Sequence, residues 1–420
     1  MRGRTGAAWS PIPPAGPLRT LAWGTLANTV GTGLWGAGAA LFLTRGVGLS
    51  AASVGLGLTI AGLVGLCATV PLGHLADRWD PRALRAVLQV GQAVVAASYL
   101  LVHSFPAFLV VAVLDALLVT GNLTVRAALV AAVAGPQGRV RAFATLWAVA
   151  SVGVSVGAAL AGLALTADTR TGYALLAVGN AVTYLISAGL LMRLPALPPT
   201  PGGARSGGWA ALRDLRYVAV SAAASVISVH QVVLNLVLPI WIAGQPGVPR
   251  AVIAAVLVTN AALTVLFGVR ISHDAQGAVA AARTMRRAGL VLAVAMLLYA
   301  ASAGLGPGAA VGLLLLATVV YTLGDLYHGT ASTGLAYDLA DPSALGQYQG
   351  VHGLINGLAQ AAGPVLLTLL LIDGGSAGWA VLGGVLVVTG WVVPMLTRWA
   401  SRPDRPGAPT TSGAAAGPVG

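Results

Sequence analysis

The chain has 420 residues, 57% of them hydrophobic and only 8% charged, far below the roughly 25% charged fraction of soluble domains, which excludes a water-soluble globule. Its formal charge of +12 comes from 23 basic residues, all arginine, against 11 acidic ones, all aspartate; they are scattered rather than gathered in one patch, which excludes nucleic acid as the partner. A single cysteine, Cys67, inside an apolar run excludes a disulfide framework and a cysteine-based metal site, and reads as a small buried hydrophobe.

Residues 1–19 are expected to be a cytoplasmic tail. Pro11, Pro13, Pro14 and Pro17 interrupt any short helix there, and the apolar stretch that follows is too long for a signal-peptide core, so it is read as a retained membrane helix. Apolar runs then recur at 20–43, 51–73, 83–103, 106–133, 139–166 and 171–193. Each is long enough, at about 1.5 Å per residue, to cross a hydrocarbon core of about 30 Å. These six form an N-terminal bundle over 20–193. The stretch 194–213 opens with Pro- and Gly-rich sequence lacking apolar periodicity and reads as a cytoplasmic linker. A second set follows at 214–243, 250–271, 280–303, 309–334, 344–371 and 377–400, a C-terminal bundle over 214–400, and the Pro/Gly/Ala-rich segment 401–420 is expected to be disordered. The predicted fold class is all-α integral membrane: twelve transmembrane helices in two pseudo-symmetric six-helix bundles.

Arginine placement tests this topology independently, because cytoplasmic loops carry the excess of basic residues. With both termini inside, nineteen arginines fall on the cytoplasmic side, among them Arg78, Arg82, Arg85, Arg139 and Arg286. Only Arg45, Arg170 and Arg250 fall outside, and Arg126 stays within the membrane. The two halves also echo each other: Gly153 and Gly157 on helix five, and Gly353 and Gly357 on helix eleven, both have the G-x-x-x-G spacing that lets helices pack closely in lipid.

Polar side chains inside the spans fall in stripes at helical spacing. Helix one carries Thr25, Asn28, Thr32 and Trp35; helix four carries Asp115, Asn122 and Arg126; helix seven carries Gln231 and Asn235. Helix ten carries Thr318, Tyr321, Asp325 and His328, and helix eleven Tyr348, His352, Asn356 and Gln360. Such residues are costly in lipid and face either a partner helix or a water-filled cavity. Asp115 and Asp325 are the carboxylates placed deepest. A carboxyl held out of water keeps its proton more readily, which suits proton exchange. Both are proton-carrier candidates, Asp325 preferred, with Arg126 setting the charge balance on helix four; a structural contact is the alternative for each. His230, His328 and His352 are further titratable groups.

The sequence "GHLADRWDPRALR", residues 73–85, lies at the predicted cytoplasmic junction of helices two and three. It resembles the loop motif G-x-x-x-D-R/K-x-G-R/K-R/K of the major facilitator superfamily, with Gly73, Asp77, Arg78 and Arg82 matching and Asp80 and Pro81 departing from it. The resemblance implies that Asp77 contacts the start of helix eleven and holds an outward-facing state. It also implies that helices one, four, seven and ten line a central cavity. Residues 323–364, with Gly324–Asp325 and Gly363–Pro364, look like helices ten and eleven of the drug:proton antiporter branch.

These readings imply a secondary transporter of the bacterial inner membrane, multi-pass and monomeric, with both termini in the cytoplasm. No ATP-binding loop is present and no lysine exists to complete one. Protons, the lipid bilayer and a small amphipathic organic substrate are the expected partners; no nucleic acid, cofactor, metal or catalytic residue is implied. The candidate cavity residues are Asn28, Thr32, Trp35, Asn122, Gln231, Asn235, Tyr321, His328, Asn356 and Gln360. Export is preferred; import of a metabolite, a membrane-embedded enzyme and a non-transporting sensor are the alternatives.

Overall fold

The computed structural model describes residues 16–165, 169–197, 210–249, 251–271 and 277–401. The expected disordered C-terminal segment, most of the N-terminal tail and the middle of the linker lie outside these residues. Six helices make up the first half: α1 (Pro17–Leu41), α2 (Ser53–Arg78), α3 (Pro81–Leu101), α4 (Phe105–Gly135), α5 (Gly138–Gly162) and α6 (Arg170–Leu191). Six more make up the second: α7 (Leu215–Ala243), α8 (Ala251–Ile271), α9 (Ala278–Ala301), α10 (Pro307–Asp338), α11 (Pro342–Asp373) and α12 (Gly375–Ala400). The chain is a twelve-helix membrane protein, and no strand occurs among the described residues. Helices satisfy their own backbone groups, as a segment in lipid must.

Large apolar side chains such as Val87, Val94, Leu175, Leu185, Val365 and Val388 point outward and are exposed. In water this would be a liability, whereas a hydrocarbon solvent favours it. Cys67 is also exposed, which corrects the expectation of burial: it sits on the outward face of α2. Pro71 cannot bond the carbonyl four residues back at Cys67, and the helix tightens to 3₁₀ geometry over Leu66–Ala68.

Close packing relies on glycine where backbones meet. α1 crosses α5 so tightly that a Cβ on Gly33 would overlap the carbonyl of Val154, and one on Gly157 that of Val30. The path from α4 into α5 turns at Gly135, where φ 65° and ψ 175° lie in a region that disfavours any side chain. In the second half the buried Tyr299 and Trp379 and the half-buried Trp241 interlock at centroid distances of 5.4 and 5.5 Å, joining α7, α9 and α12 into one core.

Candidate transport cavity

A cavity of about 410 Å³ lies between the two halves. Its walls come from α2, α4 and α5 on one side and from α7, α8, α10 and α11 on the other. Arg126, Phe143 and Trp147 face it from the first half; Gln231, Asp325, His328, His352 and Asn356 face it from the second.

The local structure of α7 creates the polar part of this wall. Pro239 cannot donate to the carbonyl of Asn235, and the helix widens into a π turn over Val233–Val237. One turn earlier the helix is interrupted between Leu215–Ser228 and His230–Val232. Backbone carbonyls there also take side-chain donors. Ile227 O accepts from His230 Nδ1 at 2.6 Å, Ser228 O from Gln360 Nε2 at 3.0 Å, and His230 O from the Tyr321 hydroxyl at 3.1 Å. A discontinuous helix is tolerated at membrane depth only where such partners or a cavity satisfy it.

This pins the fully buried His230. A carbonyl only accepts, so Nδ1 carries a hydrogen. Its Nε2 lies 3.0 Å from Asp325 Oδ1, and a hydrogen bond there needs one proton between the two groups. Either the histidine is charged and Asp325 is a carboxylate, or both are neutral and Asp325 donates. In both forms the pair holds one exchangeable proton, and without it a nitrogen lone pair would face a carboxylate. His328 packs edge-on against His230 at 5.0 Å between centroids. Its Nε2 donates to Ala224 O at 3.3 Å, leaving Nδ1 buried without a hydrogen-bond partner. Donor atoms from His230, Asp325 and His328 lie within 4.8 Å of one another; the hydrogen bond already engages two of the three, so the group is read as proton-sharing rather than as a metal site.

One end of the cavity is bounded by a contact between the halves. Asp77 accepts from the backbone N–H of Gly346 at 2.6 Å and of Gln347 at 3.0 Å, at the start of α11. There the unsatisfied amides and the helix dipole favour an anion. His74 and the Gln347 side chain add a bond of 2.8 Å. Gly73 and Gly346 face each other so closely that a Cβ on either would overlap the other's carbonyl, and Gly350 lies as closely against Thr69. Tyr337 of α10 donates to Ala127 O of α4 at 2.8 Å. Arg78 is exposed. Arg82 bonds Asp80 at 3.1 Å and Leu194 O at 2.7 Å. Asp80, a departure from the family pattern, caps α3 by accepting from Arg82 N at 2.9 Å, with Pro81 in the first turn.

Of the predicted cavity residues, Gln231, His328 and Asn356 line the wall, together with the coupling candidates Arg126 and Asp325. Tyr321 and Gln360 stand behind it through the bonds to α7 described above. Asn122 turns into the first half, accepting from Arg85 at 3.0 Å and donating to Gln92 at 2.7 Å. Arg85, counted with the cytoplasmic arginines, is 1% exposed. The α1 stripe is not on this wall: Thr32 bonds the Asn28 carbonyl, and Trp35 packs on Phe42 and Tyr99. Asn235 bonds the Gln231 carbonyl. Asp115 lies away from the cavity, accepting from the Tyr99 hydroxyl at 3.4 Å. Phe143 was not singled out from the sequence, since a lone aromatic in an apolar run carries no signal.

The sequence model described as Major Facilitator Superfamily matches residues 21–364. The chain belongs to that superfamily. Solved structures of transporters share its fold: the fucose:proton symporter of E. coli, at 14% identity and TM-score 0.71, covering 92% of this chain and 98% of that one; a proton:xylose symporter, at 16% and 0.68, covering 89% and 94%; and the human organic anion transporter TETRAN, at 18% and 0.66, covering 90% and 100%. At these identities the likeness is one of fold. No curated protein sequence matches the chain significantly. Family and neighbours together indicate a transporter of the superfamily rather than an enzyme.

Proposed function

We propose that this superfamily member is a proton-coupled secondary transporter that exports small amphipathic organic molecules by alternating access, as in the drug:proton antiporter branch it resembles. The bundles 20–193 and 214–400 are the two moving bodies, joined by the linker 194–213. The chain works as a monomer in a bacterial inner membrane with both termini cytoplasmic. The observation that carries the reading is the Asp325–His230 pair, which holds one proton at the wall of a cavity between the bundles. Gly73, Asp77, Arg78 and Arg82 form the conformational motif, and the Asp77 contact with α11 belongs to the outward-facing state, shut on the cytoplasmic side. Gln231, His328 and Asn356 contact the substrate, and Asp115 is the lesser coupling candidate.

The test is efflux of an amphipathic dye from proteoliposomes or inverted vesicles under an imposed pH gradient, with proton movement followed by an internal indicator. Dye and proton moving in opposite directions, both stopped by Asp325→Asn, is the expected result. Dye movement that ignores the gradient, or survives Asp325→Asn with its proton dependence intact, sinks the coupling. A second reading, uptake of a metabolite together with the proton, has support from the proton symporters among the fold neighbours; parallel movement of proton and solute would select it.

A further inference from the structure

Arg126 reaches the cavity from α4 with its guanidinium 5.5 Å from the centroid of Phe143. Among the described residues no carboxylate and no hydrogen-bond acceptor is paired with it. Asp325 has His230, Asp115 has Tyr99, Asp77 has two amides of α11, and Arg85 has Asn122; Arg139, at the start of α5 and off the cavity wall, also lies over a ring, that of Tyr337, with its Nε buried and unpartnered. An arginine cannot relieve its isolation by releasing a proton, and a charge at membrane depth costs about 3 kcal/mol or more unless compensated. The face of an aromatic ring returns only about 0.5–2 kcal/mol of this.

Charge accounting across the cavity gives the consequence. The Asp325–His230 pair with its shared proton is neutral overall. His328 and His352 are counted as neutral, because a second hydrogen on either ring would leave a buried Nδ1–H with no acceptor. Arg126 is the one arginine among the described residues on this wall, so the cavity presents a net charge of about one positive unit. Its remaining surface near Arg126 is apolar or aromatic, with Phe143 and Trp147 stacked at 6.5 Å and 19° and Leu123 and Val140 beside them. The volume falls within the ~300–1,000 Å³ of small-molecule sites.

We propose that Arg126 binds the anionic group of the transported molecule, and that the substrate is therefore an amphipathic organic anion with an aromatic or aliphatic body. A carboxylate fits best, because the guanidinium fork can meet both of its oxygens. The body lies along Phe143 and Trp147. An amine of the same shape is repelled, and a neutral amide lacks the charge-assisted bonds. This inference rests on the reading of the cavity as the transport site.

The test is equilibrium binding to the purified full chain in detergent, against empty micelles, with three probes of one shape: naphthylacetate, naphthylacetamide and naphthylmethylamine. The acid is expected to bind the native protein about tenfold or more tighter than the amide, and the amine weakest. In Arg126→Gln the acid loses that advantage, and Arg126→Lys recovers part of it. An amide or amine bound by the native protein as tightly as the acid overturns the proposal, with no variant needed. So does an acid preference that survives Arg126→Gln. Flux separates this from the transport reading. Selective acid binding without gradient-driven movement of any probe supports the anion site and removes the transporter assignment of the cavity. Gradient-driven flux of the amine without acid binding removes the anion site and keeps the transporter.

Discussion

Asp115 and Asp325 are the same residue type on corresponding helices of the two halves, α4 and α10, and their surroundings differ in the one respect that matters for carrying a proton. Asp115 sits on an unbroken helix, α4, among aromatics, with a phenol hydroxyl at 3.4 Å. Asp325 sits on the cavity wall opposite a histidine whose other nitrogen is tied to a carbonyl. A phenol can donate to a carboxylate but does not take its proton near neutral pH; an imidazole can. Burial alone thus supplies a carboxyl that resists ionising, and exchange needs a basic partner and a path to water as well. The interruption of α7 supplies the partner by turning His230 toward α10.

The sharpest way to break this comparison is to neutralise each acid in turn. Asp325→Asn is expected to bring proton-driven flux in vesicles to background. Asp115→Asn is expected to leave it within about threefold, since the hydrogen bond it alters is worth only about 1 kcal/mol. Equal losses would show that the two halves share the coupling. His230→Gln comes next. An amide can still bond Asp325 but cannot share a proton with it, so net proton-coupled flux should fall while substrate exchange across the membrane without net proton movement persists. Loss of both would make His230 a structural prop.

Asp77→Asn tests the contact at the cavity's end. It weakens two charge-assisted bonds and the match to the α11 dipole, together about 2 kcal/mol, enough to shift a two-state equilibrium about thirtyfold. Spin labels on the exposed ends of α2 and α11 should report a larger population of separated ends; an unchanged distance distribution would deny the contact any hold on the state. The smallest effect is expected for Tyr99→Phe, which removes the hydroxyl beside Asp115: about 1 kcal/mol of stability or less, read by thermal unfolding, with flux unchanged.

The helices were legible because an apolar run of membrane length has few other uses; the turn at Gly135 was not singled out, because one glycine among many carries no signal of its own. The orientation of the polar stripes was not. A threonine in a helix can bond the carbonyl of its own preceding turn, as Thr32 does, so a hydroxyl stripe on α1 needs no cavity. Asn122 has donors and an acceptor to satisfy and found Arg85 and Gln92 inside its own half. The central pair joins residues 95 positions apart, a separation that no periodicity encodes. Histidine at 230 was visible as a titratable group; its tautomer and its partner depend on the break in α7 between Ser228 and His230, which no residue in the sequence announces.

The seam between the halves at Gly73, Gly346, Gly350 and Thr69 is built of backbone rather than side chains. Two surfaces that meet this way have no knobs to withdraw from holes, so parting them unlocks almost no rotamers and meets little friction; the catch is a carboxylate and two amides, released as a unit. The same smoothness makes the seam intolerant of change. A single methyl group added there wedges it open, so a joint that is easy to move is also one that mutation can easily jam.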